Sequence, residues 1–512
     1  MDFLDPQKQR AHMIRLISGY ILIGVAILFA TLILLYQAYG FGLGKDGEVI
    51  QKGLVFVSSQ PDAAKIYLDG KLYKSTTNTK LQLEAGEYKT ELQREGYRSW
   101  QRIITVEGGS VQHFDYPKLF PTAMTTSPVK TYAETPGFAT QSPDRRWIVV
   151  QQGASLFNFD VFDVADPAAV NDNVTAISLP EAIVTTARST AHTYKLVEWS
   201  TDNRHLLVEH SYTPEGAAAT LEYLMIDREE PAASLNLTKS LGLTAGKVLT
   251  LRDKKHDKYY VYDSTAKTLS ATTLDDAGTL TNILDQVLAY KTYGNDMVLY
   301  ATDKDISTDK SLPSDKTQSV LYDDKLFYKI REHGATGPFL LDIAEYSNDW
   351  YAAVGASGDS KVYVYKNPQQ IRKSSQTAAL VPVRILRVTS PNHVAFSSNT
   401  QFIMAENGVN FANYDAENDK GYNYTSSLPL DAPATHARWM DGHRLSYVSG
   451  GKLVVFDYDN INAQTLVAAS PNYTPFFDRD YDNVYTMVPA TNQSGVTTIT
   501  LSVSSLLLPE DQ

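Results

Sequence analysis

The sequence predicts an all-β protein carried behind one N-terminal membrane helix. Three observations predict it: a long uncharged apolar stretch near the start, short Val/Ile/Tyr/Thr runs broken by turn residues over most of the rest, and a turn-strand-strand unit that keeps returning after residue 120. Hydrophobic residues make up 43% of the 512 and charged ones 20%, so the chain can bury a large core and does not read as disordered. Thirty-two tyrosines against eight methionines lean toward strands rather than helical bundles. With 58 acidic and 46 basic residues the formal charge is −12, which argues against nucleic acid as a main partner. The absence of cysteine excludes disulfides, cysteine-held zinc or iron–sulfur centres and a cysteine nucleophile, without placing the protein in a compartment.

The apolar stretch, Leu16 to Tyr36, reads LISGYILIGVAILFATLILLY. It matches the roughly 20 residues that span a bilayer core as a helix. A transmembrane helix is expected over 16–38, with 1–15 cytoplasmic. A cleaved signal peptide would have a shorter apolar region, usually about 7 to 15 residues, and Gln37-Ala38-Tyr39-Gly40 makes a poor cleavage site. Lys8, Arg10 and Arg15 precede the span and Lys45 and Lys52 follow it, a bias that favours a cytoplasmic N-terminus and an extracytoplasmic remainder. Tyr36 and Tyr39 suit an interfacial aromatic belt, and Gly40, Gly42, Gly44 and Gly47 suggest a flexible tether over 39–52.

Residues 53–120 alternate apolar and polar positions in short runs. Leu54 to Ser58 and Lys65 to Leu68 read as strands, and Asp69-Gly70 supplies the positive φ angles of a tight hairpin. Leu81 to Leu83, Tyr88 to Leu92, Trp100 to Val106 and Val111 to Tyr116 follow, separated by Ala85-Gly86, Glu95-Gly96-Tyr97 and Gly108-Gly109. A small β-sandwich is expected, with Tyr97 and Trp100 in its core rather than serving as a ligand platform. The run Ser59-Gln60-Pro61-Asp62-Ala63-Ala64-Lys65-Ile66-Tyr67-Leu68-Asp69-Gly70, then Leu83-Glu84-Ala85-Gly86-Glu87-Tyr88, then Glu95-Gly96-Tyr97, resembles the PEGA domain. Pro61-Asp62-Ala63-Ala64 stands where the family has Pro-Glu-Gly-Ala, and Ser75 to Lys80 departs from its Gly-x-Thr-Pro segment. The resemblance implies an exported or envelope-associated module that binds or spaces, without catalysis.

Over 121–512 a Ser/Asp/Asn-rich turn is followed by an apolar strand and a second Tyr/Val-rich strand often ending in Asp. Clear copies are Phe138 to Asp144 with Trp147 to Val150, and Val197 to Asp202 with His205 to Val208 and Tyr223 to Asp227. Others lie at Lys258 to Asp263, Tyr293 to Tyr300, Ala344 to Tyr365, His393 to Met404, Ala437 to Asp457 and Pro475 to Met487. A spacing of roughly 40 to 58 residues fits propeller blades and is too long for a β-solenoid. A seven- or eight-bladed β-propeller is expected, with the polar stretch Thr302 to Ser319 as an exposed loop. The turn Ser142-Pro143-Asp144 resembles the WD40-like repeats of TolB-type propellers, loosely, since later copies read Ser-Thr-Asp202, Ser-Asn-Asp349 or Ser-Ser-Asn399.

No motif nominates a catalytic, cofactor-binding or metal residue. His205 and His210, five apart in a strand, fall on opposite faces and are not expected to share a metal. Asp415-Ala-Glu417-Asn-Asp419 and Asp478-Arg-Asp480-Tyr-Asp482 place carboxylates alternately, as calcium loops do, but lack the full pattern and read as acidic turns. Neither a Gly-x-Ser-x-Gly elbow nor a phosphate loop is present. The expected protein is a non-enzymatic binding scaffold of the cell envelope, holding a protein or glycan and no cofactor. Its rival is a propeller enzyme acting on wall polysaccharide through two acidic residues from different blades. A reversed topology would make it an intracellular regulatory module instead.

Overall fold

The computed structural model describes residues 6–38, 41–43, 49–186, 189–276, 278–294, 296–334, 337–374, 379–433, 436–491 and 497–511. It falls into two compact units, Met1–Ala123 with Leu507–Gln512, and Met124–Leu506.

The first unit begins with one helix, Pro6–Ala38. Its span Gln9–Tyr36 has a mean hydropathy of 2.5, its most apolar stretch is exposed, and Tyr36 near its end stacks on Phe41 at 5.3 Å. A long apolar helix exposed over most of its length is suited to lipid, as a membrane anchor or a signal sequence. Two four-stranded sheets follow. One holds Phe41–Leu43, Val49–Val57, Thr79–Glu84 and Val111–Phe114; the other holds Lys71–Thr76, Lys65–Leu68, Gly86–Gln93 and Trp100–Val106. Strand periodicity turns Val55, Val57, Leu81 and Leu83 of the first toward Ile66, Leu92, Trp100 and Ile104 of the second. Asp69 and Gly70 adopt φ of 49° and 76°, as the hairpin between Leu68 and Lys71 requires. Tyr97 and Trp100 are core residues.

Two expectations about boundaries change. Residues 39–52, read as a flexible tether, are strand wherever they are described: Phe41–Leu43 pairs antiparallel with Val49–Gln51, and Lys52 already pairs with Glu84. The glycine-rich composition suited a hairpin as well as a spacer, and pairing gives its backbone groups partners. Tyr39, Gly40, Gly44, Lys45 and Gly47 lie outside the described residues. The propeller, expected over 121–512, occupies 124–506, because the last residues return to the first unit. There Leu508 packs on the sandwich core, its backbone N–H donates to Tyr97 Oη at 2.8 Å, and Tyr97 Oη donates to Asp511 at 2.6 Å.

Among its described residues the second unit has eight four-stranded antiparallel sheets in chain order, the arrangement of an eight-bladed propeller, where seven or eight blades were expected. Blades one to seven span 139–178, 189–236, 247–284, 287–333, 339–387, 393–425 and 438–468. The eighth combines Phe476–Phe477, Asn483–Thr491 and Thr497–Ser505 with Thr126–Tyr132 from the start of the unit, so the two ends of the ring are joined by one ladder. Apolar clusters fill the spaces between successive blades, as Phe159 and Val161 meet Leu206 and Leu224, and Tyr485 and Leu501 meet Ile148 and Phe162. Because each sheet is covered on both faces, its middle strands are continuous apolar runs such as Ile148-Val149-Val150 and Leu206-Leu207-Val208 rather than alternating ones. The stretch Thr302 to Ser319 is only partly the loop expected: it carries a small hairpin, Lys304–Asp305 with Lys310–Ser311, and Thr317 to Ser319 are buried strand.

The closing strand delivers two polar groups to the buried Asp160 of blade one. Tyr132 Oη donates to Asp160 at 2.9 Å and Lys130 Nζ lies 2.9 Å from the same oxygen. Replacing Tyr132 by Ala is expected to cost about 3–5 kcal/mol, as for other large buried aromatics. Tyr132→Phe should cost about 1–2 kcal/mol through the lost hydrogen bond alone. Urea unfolding of the two variants checks the order.

Candidate functional site

The turn between the first two strands of a blade is the repeated feature of the chain. Ser142 N–H donates to Trp147 O, Ser200 to His205, and Ser397 to Phe402, each at 2.9 Å, and Asp478 to Asn483 at 3.2 Å. The tip residue takes positive φ: Arg145 at 64°, Asn203 at 56°, Thr400 at 61° and Tyr481 at 61°. The aspartate that ends the third strand faces this turn from the same sheet. Arg146 holds Asp163 at 2.7 Å, Arg204 holds Asp227 at 2.8 Å, and Gln401 donates to Asp415 at 3.1 Å. The same carboxylates cap the next turn, accepting Ala165 N–H at 3.1 Å, Glu229 N–H at 2.9 Å and Glu417 N–H at 3.0 Å. Asp415 and Asp478, the leading residues of the two calcium-like runs, are spent in this way, since Asp478 accepts Asp482 N–H at 2.8 Å and Asn483 N–H at 3.1 Å.

Innermost strands line a central cavity of about 540 Å³. Blade one contributes Thr140, Gln141 and the turn residue Arg145; blade six His393 and Phe396; blade seven His436, Arg438 and Trp439; blade eight Phe476 and Phe477. Among the described residues lining it, none is acidic. A second cavity of about 250 Å³ between blades seven and eight shares His436, Arg438 and Ser446. Arg145 is positioned from two blades, donating to Met440 O at 2.9 Å and lying 4.1 Å over the Tyr481 ring, while its Nη1 is buried with no hydrogen-bond partner. The His393 and His436 rings stack at 4.1 Å. Burial, with His436, Arg438 and Lys291 adding positive charge, pushes His393 down to about 3, so it is neutral at neutral pH. Burial likewise lowers His436 and Arg438. Glu406, paired in register with His393 and fully buried, is pushed up to about 7 by desolvation against the opposing pull of the Gly408 and Ala437 N–H groups. Carboxylates stand just behind the lining, Glu406 accepting Ala437 N–H at 3.1 Å and Asp342 accepting Phe396 N–H at 3.1 Å.

Two networks, one buried and one part-buried, have the residue types of catalysis. Ser319 Oγ lies 2.7 Å from His333 Nε2, and His333 Nδ1 lies 3.3 Å from Asp359. Ser319 has no exposed surface and His333 1%, so this buried triad ties blade four to blade five. Burial lowers the His333 pKa despite Asp359. In blade two, His192 Nδ1 lies 3.0 Å from His210 Nε2, and His210 Nδ1 lies 2.8 Å from Glu222. His205 and His210 are indeed apart: His205 faces Asp202 and His256 at the other end of the blade. Both groupings join residues distant in sequence, and no local spacing announced them.

Burial alone would raise the Glu222 pKa, but hydrogen bonds from His210, Thr185 and Asn236 outweigh it and hold the carboxyl at about 2. Its folded pKa lies below the ordinary 4.5, so its stabilisation is complete above that pH and is lost as pH falls toward 2. Glu222→Gln is expected to destabilise by about 2–4 kcal/mol at pH 7. The gap from the wild type should narrow in urea unfolding at pH 3.

Residues 52–119 match the PEGA domain family. No curated protein matches the sequence. Among solved structures, a eukaryotic initiation factor is 11% identical with a TM-score of 0.40, covering 76% of this chain and 90% of its own. The dihydro-heme d1 dehydrogenase NirN is 11% identical with a TM-score of 0.38, covering 68% and 69%. Hsv2p of Kluyveromyces lactis is 10% identical with a TM-score of 0.34, covering 72% and 99%. The propeller assignment rests on the eight sheets and their closing ladder. The chain thus carries a PEGA domain at residues 52–119 and an eight-bladed β-propeller at 124–506, behind an apolar N-terminal helix.

Proposed function

We propose that this protein is a single-pass, membrane-anchored binding scaffold of the cell envelope, with its bulk extracytoplasmic, and that its propeller takes an anionic group of a protein or glycan into the central cavity without turning it over. One observation carries the reading: Arg145, pinned by blades seven and eight, lines a cavity with no acid among its described residues and keeps a buried donor without a partner. A buried guanidinium N–H with nothing to donate to is costly unless a ligand or water supplies an acceptor. Arg438 adds a second cation, the neutral His393 offers an acceptor, and Trp439 and Phe396 add apolar faces suited to a sugar ring or side chain. The apolar helix and the basic residues Arg10 and Arg15 before it support an N-terminus on the cytoplasmic side. A polysaccharide-cleaving enzyme would need two carboxylates facing each other across the cavity, and none is among its described lining residues.

The full chain in detergent should bind acidic wall-glycan fragments in a titration followed by tryptophan fluorescence. Arg145→Ala and Arg438→Ala should each weaken that binding at least tenfold, the loss of one charge-assisted hydrogen bond of about 1.5–3 kcal/mol. Equal binding by both variants would remove the cavity from the reading, and release of cleaved sugar would replace the scaffold by an enzyme. Protease added outside intact cells should remove a C-terminal tag; protection until lysis would reverse the topology.

A further inference from the structure

We propose that Asp202, His205 and His256 form a divalent transition-metal site of the zinc class that staples blade two to blade three. One ligand atom from each of the three lies within 4.8 Å of the others. Asp202 Oδ2 is 2.6 Å from His205 Nδ1 and 3.3 Å from His256 Nδ1, and the two rings stack at 4.0 Å with 10° between their planes. Donors held at about 2.0–2.1 Å from a tetrahedral ion lie roughly 3.3 Å apart, so His256 already has that separation from Asp202 and His205 needs a shift of less than about 1 Å.

His205 has a carboxylate at each ring nitrogen. Its Nε2 lies 3.4 Å from Asp227 Oδ2 while its Nδ1 faces Asp202. A neutral imidazole has one N–H and cannot donate to both carboxylates. Metal on Nδ1 with Nε2–H donated to Asp227 satisfies both contacts, the carboxylate–histidine–metal arrangement that orients a ligating ring. Asp227 is itself buried and held by Arg204 at 2.8 Å, so this supporting carboxylate is fixed.

The backbone also preorganises the donors. Asp202 and His205 belong to the first turn of blade two, where Asp202 Oδ1 accepts Arg204 N–H at 2.9 Å and His205 N–H at 3.1 Å, leaving Oδ2 to face the imidazoles. His256 belongs to the corresponding turn of blade three, and the two turns are docked by Thr201 N–H donating to Lys254 O at 2.9 Å. The side chains of Asp202 and His256 are 34% and 44% exposed, which leaves the fourth position of a tetrahedron open to water or a donor from outside.

Zinc titrated calorimetrically into the full chain in detergent, bearing a histidine-free tag, should bind at one equivalent with a dissociation constant on the order of micromolar, or roughly −8 kcal/mol. Cobalt in its place should give the visible absorption of a tetrahedral N/O site. His256→Gln removes an exposed side chain and keeps the Asp202 turn, so it should fold as the wild type does while weakening zinc binding at least tenfold and abolishing the zinc-induced rise in Tm. His113→Gln, in the sandwich, should bind zinc as the wild type does. Undiminished one-equivalent binding by His256→Gln, or no saturable binding by the wild type below about 1 mM, would overturn the site.

Discussion

The antiparallel ladder between Thr126–Tyr132 and Thr497–Ser505 is the constraint on which the propeller depends. Each blade hides its two faces only against its neighbours, so an open row of eight would leave two apolar faces and a sheet edge to water. Joining the first strand of the unit to the last three turns the row into a ring. It also brings Tyr132 and Lys130 to Asp160, a carboxylate with no exposed surface that would otherwise have only Gln152 at 2.7 Å. Closure is thus apolar over most of its area and specified by one buried charge.

Within the ring, a polar device is repeated and an apolar one varies. The aspartate ending the third strand of a blade caps the following turn and, in blades one and two, pairs with an arginine of the first turn. Such local hydrogen bonds tolerate Ser-Pro-Asp, Ser-Thr-Asp or Ser-Ser-Asn at the tip, since each supplies an acceptor for the same backbone N–H groups. That tolerance blurs the repeat while the geometry is kept. It also frees turn residues for other work: Arg145 from blade one enters the central cavity, and Asp202 and His205 from blade two face His256 of blade three.

Burial sorts the polar clusters by role. Ser319–His333–Asp359 has the members of a hydrolytic triad and behaves as a structural tie because its serine and histidine are sealed. In the central cavity the described lining carries no acid, and burial, with Arg438 beside them, lowers the pKa of both His393 and His436. Arg145 and Arg438 line that cavity in a protein whose net charge is −12.

The sequence by itself determined the elements. Twenty-one uncharged apolar residues from Leu16 to Tyr36 admit little besides a lipid-facing helix, Asp69-Gly70 demands a tight hairpin, and the recurrence of Asp-rich turns and apolar runs marks the blades, because each of these signals lies within one strand, turn or helix. Its limits were equally physical. Nothing local in Leu507–Gln512 says that it returns to Tyr97, and nothing in Val49–Lys52 says that it extends a strand, since both depend on partners far along the chain. Blade number was decided by a pairing across more than 360 residues, Thr131 with Thr500 being separated by 369. Arg145 and Arg438 line one cavity from blades one and seven, and His205 faces His256 from the next blade, only because the closed ring places turns and innermost strands side by side. The candidate sites in this architecture sit between repeats, and only the closed ring defines what lies between them.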